Sequence, residues 1–209
     1  MKVRKIRIIA FFAVFLFACG CGRSGVDTSS FQEGDLIFQN KKIKSQDFLV
    51  FLSGSQYNNV GILHSTNGKW YVLEAVQPVQ LTPVASWIKE GQGDGYVVKR
   101  VADADLVFTK EALEKMKKLR KDFMGSAYDS QYEWSDKSLY PAELVWKMYE
   151  RALGVELCGL ETLADFDLAE ETVKQKIKEV YGSRVPLYEE LVTVKSIYNS
   201  AQLITVVEK

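Results

Sequence analysis

The chain has 209 residues, with 27 basic and 27 acidic side chains, and 47% of it is hydrophobic. Balanced charge gives no electrostatic case for binding nucleic acid or for a polybasic grip on anionic lipid. Three cysteines and one histidine are too few for a disulfide framework and make a structural zinc site improbable, so no metal and no cofactor are expected.

In chain order, Lys2, Arg4, Lys5 and Arg7 precede an uncharged run over 8–18, the pattern of a secretory signal peptide. The run is too short to span a bilayer. Leu16-Phe17-Ala18-Cys19 reads as a bacterial lipobox, which makes Cys19 the expected lipidated N-terminus after loss of residues 1–18. Removal of that leader takes away four basic side chains and no acidic one, leaving 23 against 27. Residues 19–30 then form a lipidated start and polar tether, and 31–209 a single domain, since no Pro/Ser/Gly linker or repeat divides them. The implied location is the exported side of the bacterial cell envelope, with the membrane as partner through the acyl chains. Nothing in the sequence sets an oligomeric state.

Strands are expected over 35–39, 60–65, 69–75 and 96–100 from β-branched and aromatic content, with Thr66-Asn67-Gly68 as a hairpin turn. Thr109 can cap a helix to about Met124, with Leu113, Met116, Leu119, Arg120 and Phe123 on one stripe and Gly125 as the stop. Pro141 opens a second helix, whose Leu144, Val145, Met148, Tyr149 and Ala152 recur at helical spacing before Gly154. Asp167 or a neighbour caps a third, through Val173, Ile177 and Val180 to Tyr181. The 188–207 tail fits either a docking strand or a short helix. A sheet with helices segregated from it in sequence is an α+β arrangement.

Five segments carry a resemblance: Gly34-Asp35-Leu36-Ile37-Phe38, Tyr57-Asn58-Asn59-Val60-Gly61-Ile62, Leu73-Glu74-Ala75, Gly125-Ser126-Ala127-Tyr128-Asp129 and Tyr140-Pro141-Ala142-Glu143-Leu144-Val145-Trp146. In order and spacing they resemble the permuted papain-like cysteine hydrolases of the NlpC/P60 superfamily, YiiX/YaeF type. The resemblance implies a permuted papain-like fold over roughly 31–200, an antiparallel sheet packed against helices. It also implies amidase or peptidase ancestry. The family reads His-Val-Gly where this chain has Asn59-Val60-Gly61, and Tyr-Cys-Ser-Glu-Leu where it has Tyr140-Pro141-Ala142-Glu143-Leu144.

Cysteine hydrolysis needs a thiolate, an imidazole to move its proton and amide donors for the oxyanion. Pro141 fits the first turn of a helix sterically but supplies neither thiol nor backbone N–H. Asn59 can hydrogen-bond but cannot shuttle a proton near neutral pH. Glu74 stands at the family's imidazole-orienting position and becomes a polar wall. Asn59, Glu74 and Pro141 are therefore degenerate catalytic positions, and no catalytic residue is expected. Tyr57, Asn59, Glu74, Tyr128, Trp134 and Tyr140 are candidate cleft-lining residues for a peptide, cell-wall or acylated ligand; the aromatics suit plain packing equally well. By strand alternation His64 points away from the cleft, as a hairpin-end surface histidine. Cys158 reads as a buried small apolar residue. A pseudoenzyme that binds in the old cleft, a scaffold lipoprotein with a vestigial cleft, and a hydrolase using Ser138 or Tyr140 all remain open at this point.

Overall fold

The computed structural model describes residues 25–42 and 48–209. The leader, Cys19 and Cys21 lie outside the described residues. Six strands form one antiparallel sheet: β1 Leu36–Gln39, β2 Asn59–Thr66, β3 Lys69–Glu74, β4 Gln80–Pro83, β5 Val97–Val101 and, at the far edge, the C-terminal Leu203–Glu208 strand, in spatial order β4-β3-β2-β1-β5 followed by that strand. Neighbouring pairs run antiparallel throughout, with Leu36 opposite Ile62 and Ile62 opposite Leu73. The expected strands are all present within a residue or two.

Alternation along the strands divides the core in two. Leu36, Phe38, Val60, Ile62 and Leu73 face a large cluster, and Ile37, Leu63, Val72 and Val98 face a smaller one. The smaller cluster is closed by the helix α2 Val84–Lys89, with Trp87 at its centre, and by Phe31 and Tyr96. The larger is filled by the remaining helices: α1 Phe48–Ser53, α4 Lys110–Phe123, α5 Pro141–Leu153, α6 Glu171–Tyr181 and α7 Val194–Tyr198, with the single turn α3 Ala104–Val107 near its edge. Two short strands, β6 Ala127–Tyr128 and β7 Ser138–Leu139, pair in parallel beside α5, which leaves β8 as the label of the C-terminal edge strand.

α5 is the central helix. Leu144, Val145, Met148, Tyr149 and Ala152 are buried, as their spacing requires, and Gly154 ends the helix with a left-handed φ of 67°. The Tyr149 hydroxyl donates to the Gly34 carbonyl, tying α5 to the turn before β1. That turn needs glycine: φ is 87°, and a Cβ at Gly34 would lie 2.3 Å from the Phe108 ring. Thr109 caps α4 as expected, its hydroxyl accepting from the Ala112 amide at 3.2 Å. For α6 the N-cap is Glu170 and not Asp167, whose carboxylate instead accepts from the Ala169 amide two residues on. The tail resolves into both expected forms, α7 and then β8 on the sheet edge.

Candidate functional site

β2 starts at Asn59, and α5 runs beside it with Pro141 at the same end. Pro141 is the first helical residue, where its fixed φ suits the helix and its missing N–H leaves nothing unpaired. The Tyr140 amide donates to Glu143 Oε2 at 3.4 Å, so the first turn is also closed by a buried carboxylate. Lys147 Nζ pairs with Glu143 Oε1 at 2.7 Å and Asp136 Oδ1 at 3.0 Å, donates to the Ser135 carbonyl and sits over the Trp134 ring. Burial still pushes Glu143 up to about 7, with Lys147 opposing. Asp136, bonded to Arg151 and reached by Lys147, is held down to about 2.

Asn59 and Glu74 lie on the sheet face covered by α2. Asn59 is directly opposite Gln39, and Gln39 points at Gly91 just beyond α2, where an added Cβ would stand 2.6 Å from Gln39 Oε1. Glu74 is 1% exposed; its two oxygens accept from Thr82 Oγ1 at 2.5 Å and Trp87 Nε1 at 3.0 Å, with Lys41 Nζ 3.9 Å away. The Glu74 carboxylate is thus held by two neutral donors. Asn59 Nδ2 and both amide atoms of Gln39 are buried without a partner among the described residues.

One described pocket borders Pro141. Among the described residues it is a pocket of about 10 Å³, lined by Leu49, Val50, Asn58, Tyr140, Ala142, Val192 and Val194. Asn58, not Asn59, lines it, and Asn58's own side chain is committed to Asn40 and to the backbone of Lys41.

The six expected cleft-lining residues are not gathered into one described pocket. Tyr57 packs on Phe38 and Tyr198. Tyr140 is buried and its hydroxyl accepts from the Val192 amide, so it closes the core; burial drives its pKa well above the ordinary tyrosine value. Trp134 stacks edge-on against Trp146, at the rim of a separate pocket. Tyr128 is half-buried on β6, and its backbone amide donates to Gln77 Oε1. Cys158 is partly buried and pushed up to about 12 by desolvation, so it offers no thiolate. Ser138 sits on β7.

The remaining motif residues hold the frame. Asp35 is clamped by Arg100 through two bonds of 2.7 Å, and Asp129 turns its loop by accepting from the Gln131 and Tyr132 amides. Gly61 is required because a Cβ there would fall 2.3 Å from Val72 Cγ1 and 2.7 Å from the Leu73 carbonyl.

A family model described as permuted papain-like amidase enzyme, YaeF/YiiX, C92 family, matches residues 30–207. The chain belongs to this family. It is 36% identical over 178 residues to the uncharacterized protein YiiX of Escherichia coli strain K12, spanning 85% of this chain and 87% of that one. A crystal structure of YiiX from Escherichia coli O157:H7, titled a metalloprotein, superimposes with a TM-score of 0.77 at 36% identity, covering 85% of this chain and 97% of that one. Among the described residues of this family member, no three of His, Cys, Asp and Glu are grouped as a metal site.

His64 is the residue whose surroundings the sequence conceals most. It lies on the sheet face opposite Asn59 and Glu74, but that is the face α4 and α5 cover, so it is separated from Pro141 only by its place near the other end of β2, and it is not a free surface histidine: Nδ1 lies 2.5 Å from Glu33 Oε1, and Arg120 Nη1 lies 2.7 Å from the ring. Glu33 and Arg120 are 31 and 56 residues away in sequence. The one signal was a charged residue, Arg120, within the apolar stripe of α4.

Proposed function

We propose that this protein is a non-hydrolytic, lipid-anchored member of the permuted papain-like amidase family, acting at the exported side of the bacterial envelope. The observation that carries this is Pro141 as first residue of α5, where the resemblance places the family's nucleophile. Proline removes the thiol and the backbone N–H that would help hold an oxyanion. Asn59 at the imidazole position removes the base, and Glu74 is engaged by Thr82 and Trp87.

Two non-catalytic roles divide on space. Binding of a peptide, cell-wall or acylated ligand in the old cleft needs room at Pro141; the pocket of about 10 Å³ found there among the described residues is far below the roughly 300 Å³ at which small-molecule sites begin. This supports an interaction or scaffold role over cleft binding. A hydrolase built on Tyr140 is disfavoured by the burial of its hydroxyl against Val192.

The test is turnover of peptide, amide and ester substrates by the purified protein. No rate above a mock-purified control is expected, and Cys158→Ala should change nothing. Turnover that survives purification and is lost on a point change at Ser138 or near Pro141 would overturn the reading. Anchoring is tested separately: Cys19→Ser should abolish fatty-acid labelling and release the protein from membranes, and a wild-type chain that takes up no label refutes the anchor.

A further inference from the structure

The end of β2 remote from Pro141 borders a second pocket, of about 290 Å³, between the β2–β3 ladder and α4. Its floor is apolar: Ile62, Leu73, Met116 and Met148 are all buried. Its polar wall is a chain of three side chains, Glu33, His64 and Arg120. Glu33 Oε2 accepts from the Ser65 amide at 2.7 Å and Oε1 faces His64 Nδ1 at 2.5 Å, so both carboxylate oxygens are engaged. Arg120 Nη1 lies 2.7 Å from both nitrogens of the same imidazole, so the guanidinium and Glu33 both sit against the His64 ring.

Arg120 is left with most of its donors unused. Among the described residues it forms no ion pair with a carboxylate, and Nη1 is its only nitrogen bonded to protein. Desolvation pulls the guanidinium below its ordinary value, and only the Coulombic pull of Glu33 opposes it. The other charges on the pocket are Glu114 and Lys117, exposed on α4 and 3.7 Å apart, each the other's partner. A half-desolvated guanidinium with free N–H groups, set over an apolar floor, lacks an acceptor that carries negative charge.

The geometry points to a binding site for a small organic monoanion, a carboxylate with an apolar body. The carboxylate meets Arg120, and the body lies on Ile62, Leu73, Met116 and Met148. A single unpaired cation inside the pocket, with Glu33 beside it, suits one negative charge better than a phosphate dianion. The volume, near the lower end of small-molecule sites, limits the body to a few carbons.

The experiment uses the full-length protein with methyl-labelled methionine, because Met116 and Met148 line the pocket and Met124, 41% exposed and outside it, is an internal control. Hexanoate, hexan-1-ol and hexylammonium are titrated in parallel. Hexanoate is expected to shift the Met116 and Met148 methyl signals saturably while Met124 stays put. The alcohol and the amine should bind at least tenfold more weakly, and Arg120→Gln should weaken hexanoate by at least tenfold. Equal binding of hexanol or hexylammonium, which needs no variant to observe, overturns the assignment. So do equal shifts at Met124, or unchanged hexanoate affinity in a folded Arg120→Gln protein.

Discussion

At the residue scale, the ion pair inside α5 makes a pH-dependent contribution with a definite sign. Glu143 is fully buried, and its pKa is raised from an ordinary 4.5 to about 7 because burial outweighs the bonds from Lys147 and the Tyr140 amide. Between those two values the native protein binds more protons at this group than the unfolded chain does. Its contribution to stability is therefore largest at the acid end of the window and declines as pH rises from 4.5 towards 7. Glu143→Gln removes that dependence. Urea unfolding at pH 5, 6 and 7 should show the stability of wild type relative to Glu143→Gln falling steadily; parallel pH profiles would contradict the assignment. The residue scale is also where the sequence was least legible. His64 looked like a surface residue because its partners, Glu33 and Arg120, come from a distant turn and a different helix, and no local pattern links them. Tyr57, Tyr140 and Trp134 are placed by the same motifs that suggested a cleft, yet their rings serve packing, and composition cannot tell an aromatic wall from an aromatic core.

At the element scale, the strands that carry the frame are fixed by short-range chemistry and were readable. β2 and β3 alternate around a Thr66-Asn67-Gly68 turn, with Asn67 and Gly68 both at positive φ. Proline and Gly154 bracket α5. The elements that escaped are short: α1 and α2 are six residues each and β4 is four, too brief for periodicity to separate helix from strand. β8 is rich in β-branched residues, but only its pairing with β5 decides that it is a strand. Gly61 is the sharpest prediction here. It lies in the middle of the sheet with Val72 Cγ1 and the Leu73 carbonyl occupying the place of a Cβ. Gly61→Ala should lower unfolding stability by about 1–3 kcal/mol, the usual cost of overpacking a core. A variant as stable as wild type in chemical denaturation would show that β3 can yield there.

At the scale of the whole molecule, the chain keeps the architecture of its family, and on the function proposed above the groups at the former reactive positions no longer serve hydrolysis. Glu74 is sealed under α2, Asn59 begins β2 beside Gln39, and Pro141 starts α5 at the same end of the sheet. Asn59 sits on the sheet face under α2 and α5 packs on the other, so an imidazole at 59 reaches residue 141 only around the open start of β2, where Asn58 lines the space beside Pro141. The assignment of residues 59 and 141 as the former reactive positions is tested most directly by the iodoacetamide reactivity of residue 141 at neutral pH in Pro141→Cys and in the Asn59→His/Pro141→Cys double variant. The helix N-terminus favours a thiolate in both, and an imidazolium at 59 favours it further. The double variant is expected to react several-fold faster than the single one. Equal rates in two correctly folded variants would mean that residues 59 and 141 do not face each other, and the assignment of Asn59 and Pro141 as the former reactive positions would be wrong.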